Sequence, residues 1–271
     1  MTHLKIDRVA VIGAGKMGTT IIRALLERTD LKPDQIVATR KHTEPLAKLA
    51  EDRGIQATTD NREAVKGAEV ILLCVKPQTI TEVLDEIGSS LSEAQLVVSI
   101  AAGVTSTQID DRLPGQIPVV RAMPNTPSLI GAGMTAVCGG QWATDTHLET
   151  ARQIFAVMGR ALILDEKYFD AVTGLSASGP AFVYIIIEAM AEGGVKVGLP
   201  RNVATQLAAQ ACLGASQMVL ETNAHPALLK DDVTTPAGCT MDGILTLEEG
   251  GLRVTLIKAV VEASRRAGEL G

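Results

Sequence analysis

RVAVIGAGKMG, residues 8–18, is the stretch whose reading decides the fold. Four apolar residues, Val9, Ala10, Val11 and Ile12, run into Gly13, Gly15 and Gly18, and Met17, Ile21, Ile22, Leu25 and Leu26 then recur at helical spacing. A strand that feeds a tight glycine turn and opens a helix leaves unpaired N–H groups at the positive end of a helix dipole. A pyrophosphate can sit there. Gly13 permits the turn, Gly15 lets phosphate oxygens approach the backbone, and Gly18 lets helix pack on strand. The glycine spacing alone is a weak signal; the strand before it and the helix after it turn it into an expected dinucleotide site.

A second strand is expected at residues 35–39, and its end is where such a fold meets the adenosine ribose. An NAD site usually carries Asp or Glu there to bond the 2′-hydroxyl. This chain has Thr39, Arg40 and Lys41 instead. A hydroxyl followed by two cations suits a 2′-phosphate, so NADP is favoured over NAD; a solvated basic loop is the competing reading. Further on, helices are expected at 45–53, 61–66, 79–87, 106–113 and 145–158. Strands are expected at 55–58, 70–75, 96–101, 118–121, 134–138 and 161–164. The continuous apolar runs VILLCV (70–75) and LVVSIA (96–101) read as parallel strands covered on both faces. Small residues follow the second run, and Pro124 and Pro127 stiffen the MPNTP loop so that its polar groups can face a cleft. The pattern is α/β, a mostly parallel, doubly wound sheet over residues 1–165, with the boundary within 165–170.

Residues 166–271 carry helical patterns and no strand signal. The run 181–197 is apolar on almost every side, which a domain of this size cannot hide alone, so a partner subunit is implied. Its longest uninterrupted apolar stretch, residues 181–187, stops at Glu188, well short of the ~20 residues of a membrane span. The chain has 271 residues, a net charge of −6 and 2% aromatics, which argues against nucleic-acid binding. Cys74, Cys138, Cys212 and Cys239 form no CxxC pair, so neither a disulfide framework nor a metal site is expected. The N-terminus has no signal-peptide pattern, and a cytoplasmic location is expected.

The other informative stretch is DVTTPAGCTMDG, residues 232–243: hydroxyls, a rigid Pro236, small Ala237 and Gly238, then a helix start. Such a turn offers N–H groups to a small carboxylate, with Thr240 adding a hydroxyl; an ordinary capped helix start is the competing reading.

With these motifs in place, the chain resembles the pyrroline-5-carboxylate reductase family. The resemblance runs through GAGKMG, VKPQ (75–78), SIAAGVT (99–105), RAMPNTP (121–127), GLSASGPAFVY (174–184) and VTTPAGCTMDGILTLEEGGLR (233–253). It implies a Rossmann-type cofactor domain, an all-α dimerisation domain, a homodimer with higher oligomers up to a decamer, and reduction of the cyclic imine to proline, the last step of proline biosynthesis. It places the cofactor phosphates on Gly13, Ala14, Gly15, Lys16, Met17 and Gly18. The adenosine end falls near Thr39, Arg40, Lys41 and Asn61, and the remainder along Cys74, Val75, Lys76, Pro77, Ile100, Ala101 and Ala102. Substrate is placed at Val233, Thr235, Ala237, Gly238, Cys239 and Thr240, on a turn supplied by the neighbouring subunit. Two positions depart from the family: Ala237 stands where most relatives have glycine, and Asp232 where some have an Asn that reaches the cofactor.

A protonated cyclic imine needs mainly a hydride at carbon and a fixed orientation. Thr240 is expected to bond the ring nitrogen. None of the four histidines lies in these motifs, and Cys239 has no activating neighbour in sequence, so it reads as a bystander thiol. A 3-hydroxyacid dehydrogenase of similar architecture wants a Lys in the segment GPAFVYIII, which has none. A reductase of a related cyclic imine acid would share every one of these motifs, and a non-catalytic NADP-binding sensor would keep GAGKMG but need no substrate turn.

Overall fold

The structure, a computed structural model, describes residues 2–269. These residues form two compact units: one comprises residues up to Ala177 together with those from Ala263 on, and the other is Ser178–Glu262.

The first unit opens with β1 (Val9–Ile12), α1 (Lys16–Arg28), β2 (Ile36–Thr39), α2 (Thr43–Arg53), β3 (Gln56–Thr58) and α3 (Asn61–Val65). It continues with β4 (Val70–Leu73), α4 (Pro77–Ile87), β5 (Leu96–Ser99), α5 (Ser106–Asp110) and β6 (Val119–Met123). Then come β7 (Gly133–Gly139), α6 (Asp145–Ala156), β8 (Gly159–Ile163) and α7 (Phe169–Val172). Among the described residues the strands make one sheet in the order β3-β2-β1-β4-β5-β6-β7-β8. Every pairing is parallel except β6 with β7, where Arg121 stands opposite Cys138.

The apolar runs are strands because both faces are covered. Val9 and Val11 join Ile21, Ile22 and Leu25 of α1 and Phe155 of α6 in one core. Ala10 and Ile12, pointing the other way, join Val65, Ile80, Leu84 and Ile109 from α3, α4 and α5 in another. Since β1 lies between β2 and β4, the chain reverses direction across the sheet there, and the crevice at the carboxyl ends of β1 and β4 is the expected ligand site.

A half-buried ion pair clamps the far side of the sheet. Arg121, 3% exposed, lies on β6 with its guanidinium 4.7 Å from the centre of the Phe169 ring. Its Nη1 donates to Glu166 Oε1 at 3.0 Å, and Glu166 also accepts from the Ser106 N–H at 2.8 Å and the Ser106 hydroxyl. Three chain segments thus converge on one carboxylate. Beyond α7, residues Thr173–Ala177 form a π-helical turn that the apolar periodicity does not announce.

The second unit contains α8 (Gly179–Lys196), α9 (Arg201–Thr222), α10 (Pro226–Asp232), α11 (Cys239–Glu249) and the start of α12 (Leu252–Gly268). Ala191 of α8 and Ala204 and Ala208 of α9 are its buried apolar residues; such small side chains let the two helices approach closely. Much larger residues remain uncovered, with Ile185 65% exposed and Tyr184, Leu207, Leu245 and Ile257 all exposed. The helical stretch Glu166–Lys196 spans 31 residues and is long and apolar enough to cross a membrane by length and composition. Glu188 interrupts the run but lowers the average hydropathy too little to matter.

Removing Glu166 leaves a buried guanidinium without its counter-charge. Glu166→Ala is expected to lower unfolding free energy by about 2 kcal/mol, read as a shifted urea midpoint; an unshifted midpoint shows the clamp to be dispensable.

Candidate active site

The glycine turn is built from three different demands. Gly13 has φ of +96°, and a Cβ there would stand 2.8 Å from Val75 Cγ1. At Gly18 a Cβ would stand 2.5 Å from the Gly13 carbonyl oxygen, so α1 could not pack on the turn. Gly15 differs from both: its φ is −82° and nothing lies within 4 Å of where its Cβ would be. Open space beside Gly15 is what a phosphate approach requires. The Gly13 and Ala14 N–H groups donate to the Thr39 carbonyl at 3.2 and 2.7 Å, and Gly15 N–H donates to the Gly13 carbonyl. Donation to an anion therefore falls to the first turn of α1, Lys16, Met17 and Gly18, which has no side-chain cap and no acidic residue.

A cleft of about 390 Å³ opens beside this turn. Of the expected cofactor residues, Gly13, Gly15, Thr39, Arg40, Lys41, Asn61, Cys74, Val75 and Lys76 line it. Ala14, Lys16, Met17 and Gly18 lie outside its walls, as do Ile100, Ala101 and Ala102 just past β5. Pro77 lines a neighbouring groove between α4 and α5 instead. Ile12, His42, Thr59, Thr79 and Val83 complete the wall. His42 was detectable in sequence only as the neighbour of Arg40 and Lys41.

At the adenosine end, Arg40 Nη1 donates to the Ala14 carbonyl at 3.3 Å, and Lys41 pairs with Glu82 at 3.5 Å, both exposed. Thr39, buried, donates from its hydroxyl to Asn61 Oδ1 at 2.7 Å. These cations, the uncapped amides and the space at Gly15 fit a dinucleotide that carries phosphate charge at both places. Burial pushes the Cys74 thiol up to about 12, so it stays a neutral thiol in the cleft wall. Asn125 of the MPNTP loop is engaged rather than free: it accepts from Met134 N–H at 2.9 Å and donates to the Ser176 carbonyl at 3.1 Å. Among the described residues, no cluster of His, Cys, Asp or Glu is placed to hold a metal.

In the second unit, residues 235–238 form a β-turn closed by Gly238 N–H on the Thr235 carbonyl at 2.9 Å. Pro236 and a φ of +57° at Ala237 give it the form of a type II turn, whose third residue is usually glycine. Gly238 then opens α11 with no side-chain cap, leaving the Cys239 and Thr240 amides at a helix N-terminus. The turn brings Thr235, Ala237, Gly238, Cys239 and Thr240 together, with Val233 just before it.

Gly15→Ala separates binding from folding. The methyl fits the free protein, so the melting temperature should stay within about 2 °C of the parent, while NADPH affinity in a calorimetric titration should fall about tenfold or more. Equal affinity would show that no phosphate approaches Gly15.

Comparison with known proteins identifies the family. Residues 166–270 match the family described as pyrroline-5-carboxylate reductase dimerisation, and residues 8–103 the family described as NADP oxidoreductase, coenzyme F420-dependent. Over 265 residues the chain is 42% identical to the pyrroline-5-carboxylate reductase of Methanosarcina acetivorans, covering 98% of both chains. It is 41% identical over 263 residues to that of Arabidopsis thaliana, covering 97% of this chain and 95% of the relative. The fold superposes on a pyrroline-5-carboxylate reductase from Coxiella burnetii with a TM-score of 0.93, at 36% identity over 98% of each chain. On the Plasmodium falciparum pyrroline carboxylate reductase, solved with NADP bound, the TM-score is 0.86 at 26% identity over all of both chains. Likeness of this degree along the whole length, carried by both the glycine turn and the helical half, makes the chain a member of the pyrroline-5-carboxylate reductase family, NAD(P)H-dependent oxidoreductases.

Proposed function

We propose that this protein reduces 1-pyrroline-5-carboxylate to L-proline, with NADPH preferred over NADH, in the cytoplasm, and that its working form is a homodimer in which each site is shared. The late turn carries this reading: it sets two uncapped amides and the Thr240 hydroxyl side by side, a match for a small ring acid. The Cys239 and Thr240 amides hold the substrate carboxylate, and the Thr240 hydroxyl, half-buried and without a hydrogen bond among the described residues, bonds the ring nitrogen. A nicotinamide, once bound, supplies the hydride. The protonated imine takes that hydride at carbon, its C=N double bond becomes a single bond, and the electron pair settles on nitrogen as the amine of proline. No His or Cys is needed to move a proton in this step. The exposed apolar faces of α8, α9 and α11 supply the surface for the partner, whose turn completes each site.

Steady-state oxidation of NADPH with pyrroline-5-carboxylate tests the reading directly; no turnover with intact cofactor binding would favour a sensor instead. Thr240→Ala should lower kcat about tenfold or more through lost orientation, and unchanged kinetics would remove Thr240 from the site. Arg40→Ala should raise KM for NADPH by about tenfold and that for NADH far less; equal losses would make residues 40–41 a solvated surface.

A further inference from the structure

We propose that Glu86, which lies outside the cofactor cleft, is the positioning residue that fixes the Asn61 side-chain amide and so sets the preference for a 2′-phosphate. The inference rests on the reading of the cleft as an NADPH site. A chain of hydrogen bonds runs from the glycine turn to the end of α4. Gly13 N–H donates to Thr39 Oγ1 at 3.3 Å, the Thr39 hydroxyl donates to Asn61 Oδ1 at 2.7 Å, and Asn61 Nδ2 donates to Glu86 Oε2 at 2.8 Å.

The direction of this chain is fixed from its Glu86 end. A carboxylate can only accept, so each donor back to the Thr39 hydroxyl is assigned. Asn61 must turn its oxygen to Thr39 and its NH2 to Glu86. Its second N–H carries no hydrogen bond among the described residues, and Asn61 lines the cleft together with Arg40 and Lys41. Glu86 is itself held: its main-chain carbonyl accepts from Arg62 Nε at 2.8 Å, and Asp60 caps α3 through the Arg62 and Glu63 amides, so Asn61 starts a fixed helix. Without an acceptor at position 86 the amide is free to rotate, and a flipped Asn61 would present a carbonyl oxygen to a phosphate, which repels it.

The sign of the effect distinguishes this role from plain electrostatics. Deleting a carboxylate near an anion site should by itself tighten phosphate binding. A loss of NADPH affinity on removing Glu86 therefore has to come through Asn61. Glu86→Gln removes the charge and keeps an accepting oxygen; Glu86→Met keeps the shape and removes both.

The full-length protein is titrated by calorimetry with NADPH, NADH and 2′,5′-ADP. Glu86→Gln is expected to bind NADPH within about twofold of the parent, while Glu86→Met weakens NADPH and 2′,5′-ADP about tenfold and NADH no more than about threefold, since only the Gln variant keeps an acceptor for Asn61 Nδ2. Equal affinity of the Gln and Met variants for NADPH overturns the proposal, as does an equal loss for NADPH and NADH. Should Glu86→Met fail to fold, Glu86→Ala takes its place with the same expectation. A parent protein that binds neither dinucleotide overturns the cleft reading itself, a result separate from either of these.

Discussion

Two amides sharing one acceptor, the Gly13 and Ala14 N–H groups on the Thr39 carbonyl, hold the working end of this molecule together. The bond pair fastens the turn after β1 to the end of β2, and several features follow from it. Because those amides are engaged, the free donors lie one step later, at the first turn of α1, where the helix dipole adds to them. Because Thr39 is the anchor, the next two residues, Arg40 and Lys41, must emerge beside the turn rather than elsewhere on the surface. The close seat of Gly18 on the Gly13 carbonyl then decides how α1 lies against the sheet.

Much of this was legible because a sheet covered on both faces writes itself as uninterrupted apolar runs. Val9–Ile12 sends alternate residues to two separate cores, and the runs that became β4 and β5 behave in the same way. What periodicity cannot carry is direction and distance. Nothing in residues 133–139 says that β7 runs against β6, since an antiparallel strand with both faces covered has the same apolar pattern. The π-helical turn Thr173–Ala177 likewise follows from how the backbone hydrogen-bonds, not from residue type. The wall of the cleft was only partly readable for a related reason. Thr59, Thr79 and Val83 belong to no motif and reach the cleft because α3 and α4 are folded against β1 and β4. Glu86 is further removed, visible only through its bond to Asn61.

The helical half shows how one composition can satisfy two quite different surroundings. A helix apolar all round suits either lipid or a protein interior, and by length and hydropathy Glu166–Lys196 passes for a membrane span. Small residues on α9, Ala204 and Ala208 among them, pack on Ala191 of α8, while Leu207 and Leu213 of α9 stand exposed. The match of residues 166–270 to a dimerisation family supplies a protein partner for such exposed apolar faces.

The substitution in the late turn can be followed to its physical reason. The family resemblance implies two glycines after the proline, and the two positions here are under different constraints. At Gly238 a Cβ would meet Thr235 Oγ1 at 2.5 Å, a collision with the side chain that begins the same turn. At Ala237 the methyl is exposed, and what it violates is backbone preference alone, a φ of +57° that costs an L-residue about 1 kcal/mol. Pro236 offsets part of that by holding the preceding residue ready for the turn. Alanine therefore stands at the only one of the two positions where a side chain is merely strained, and the amides that open α11 keep their place.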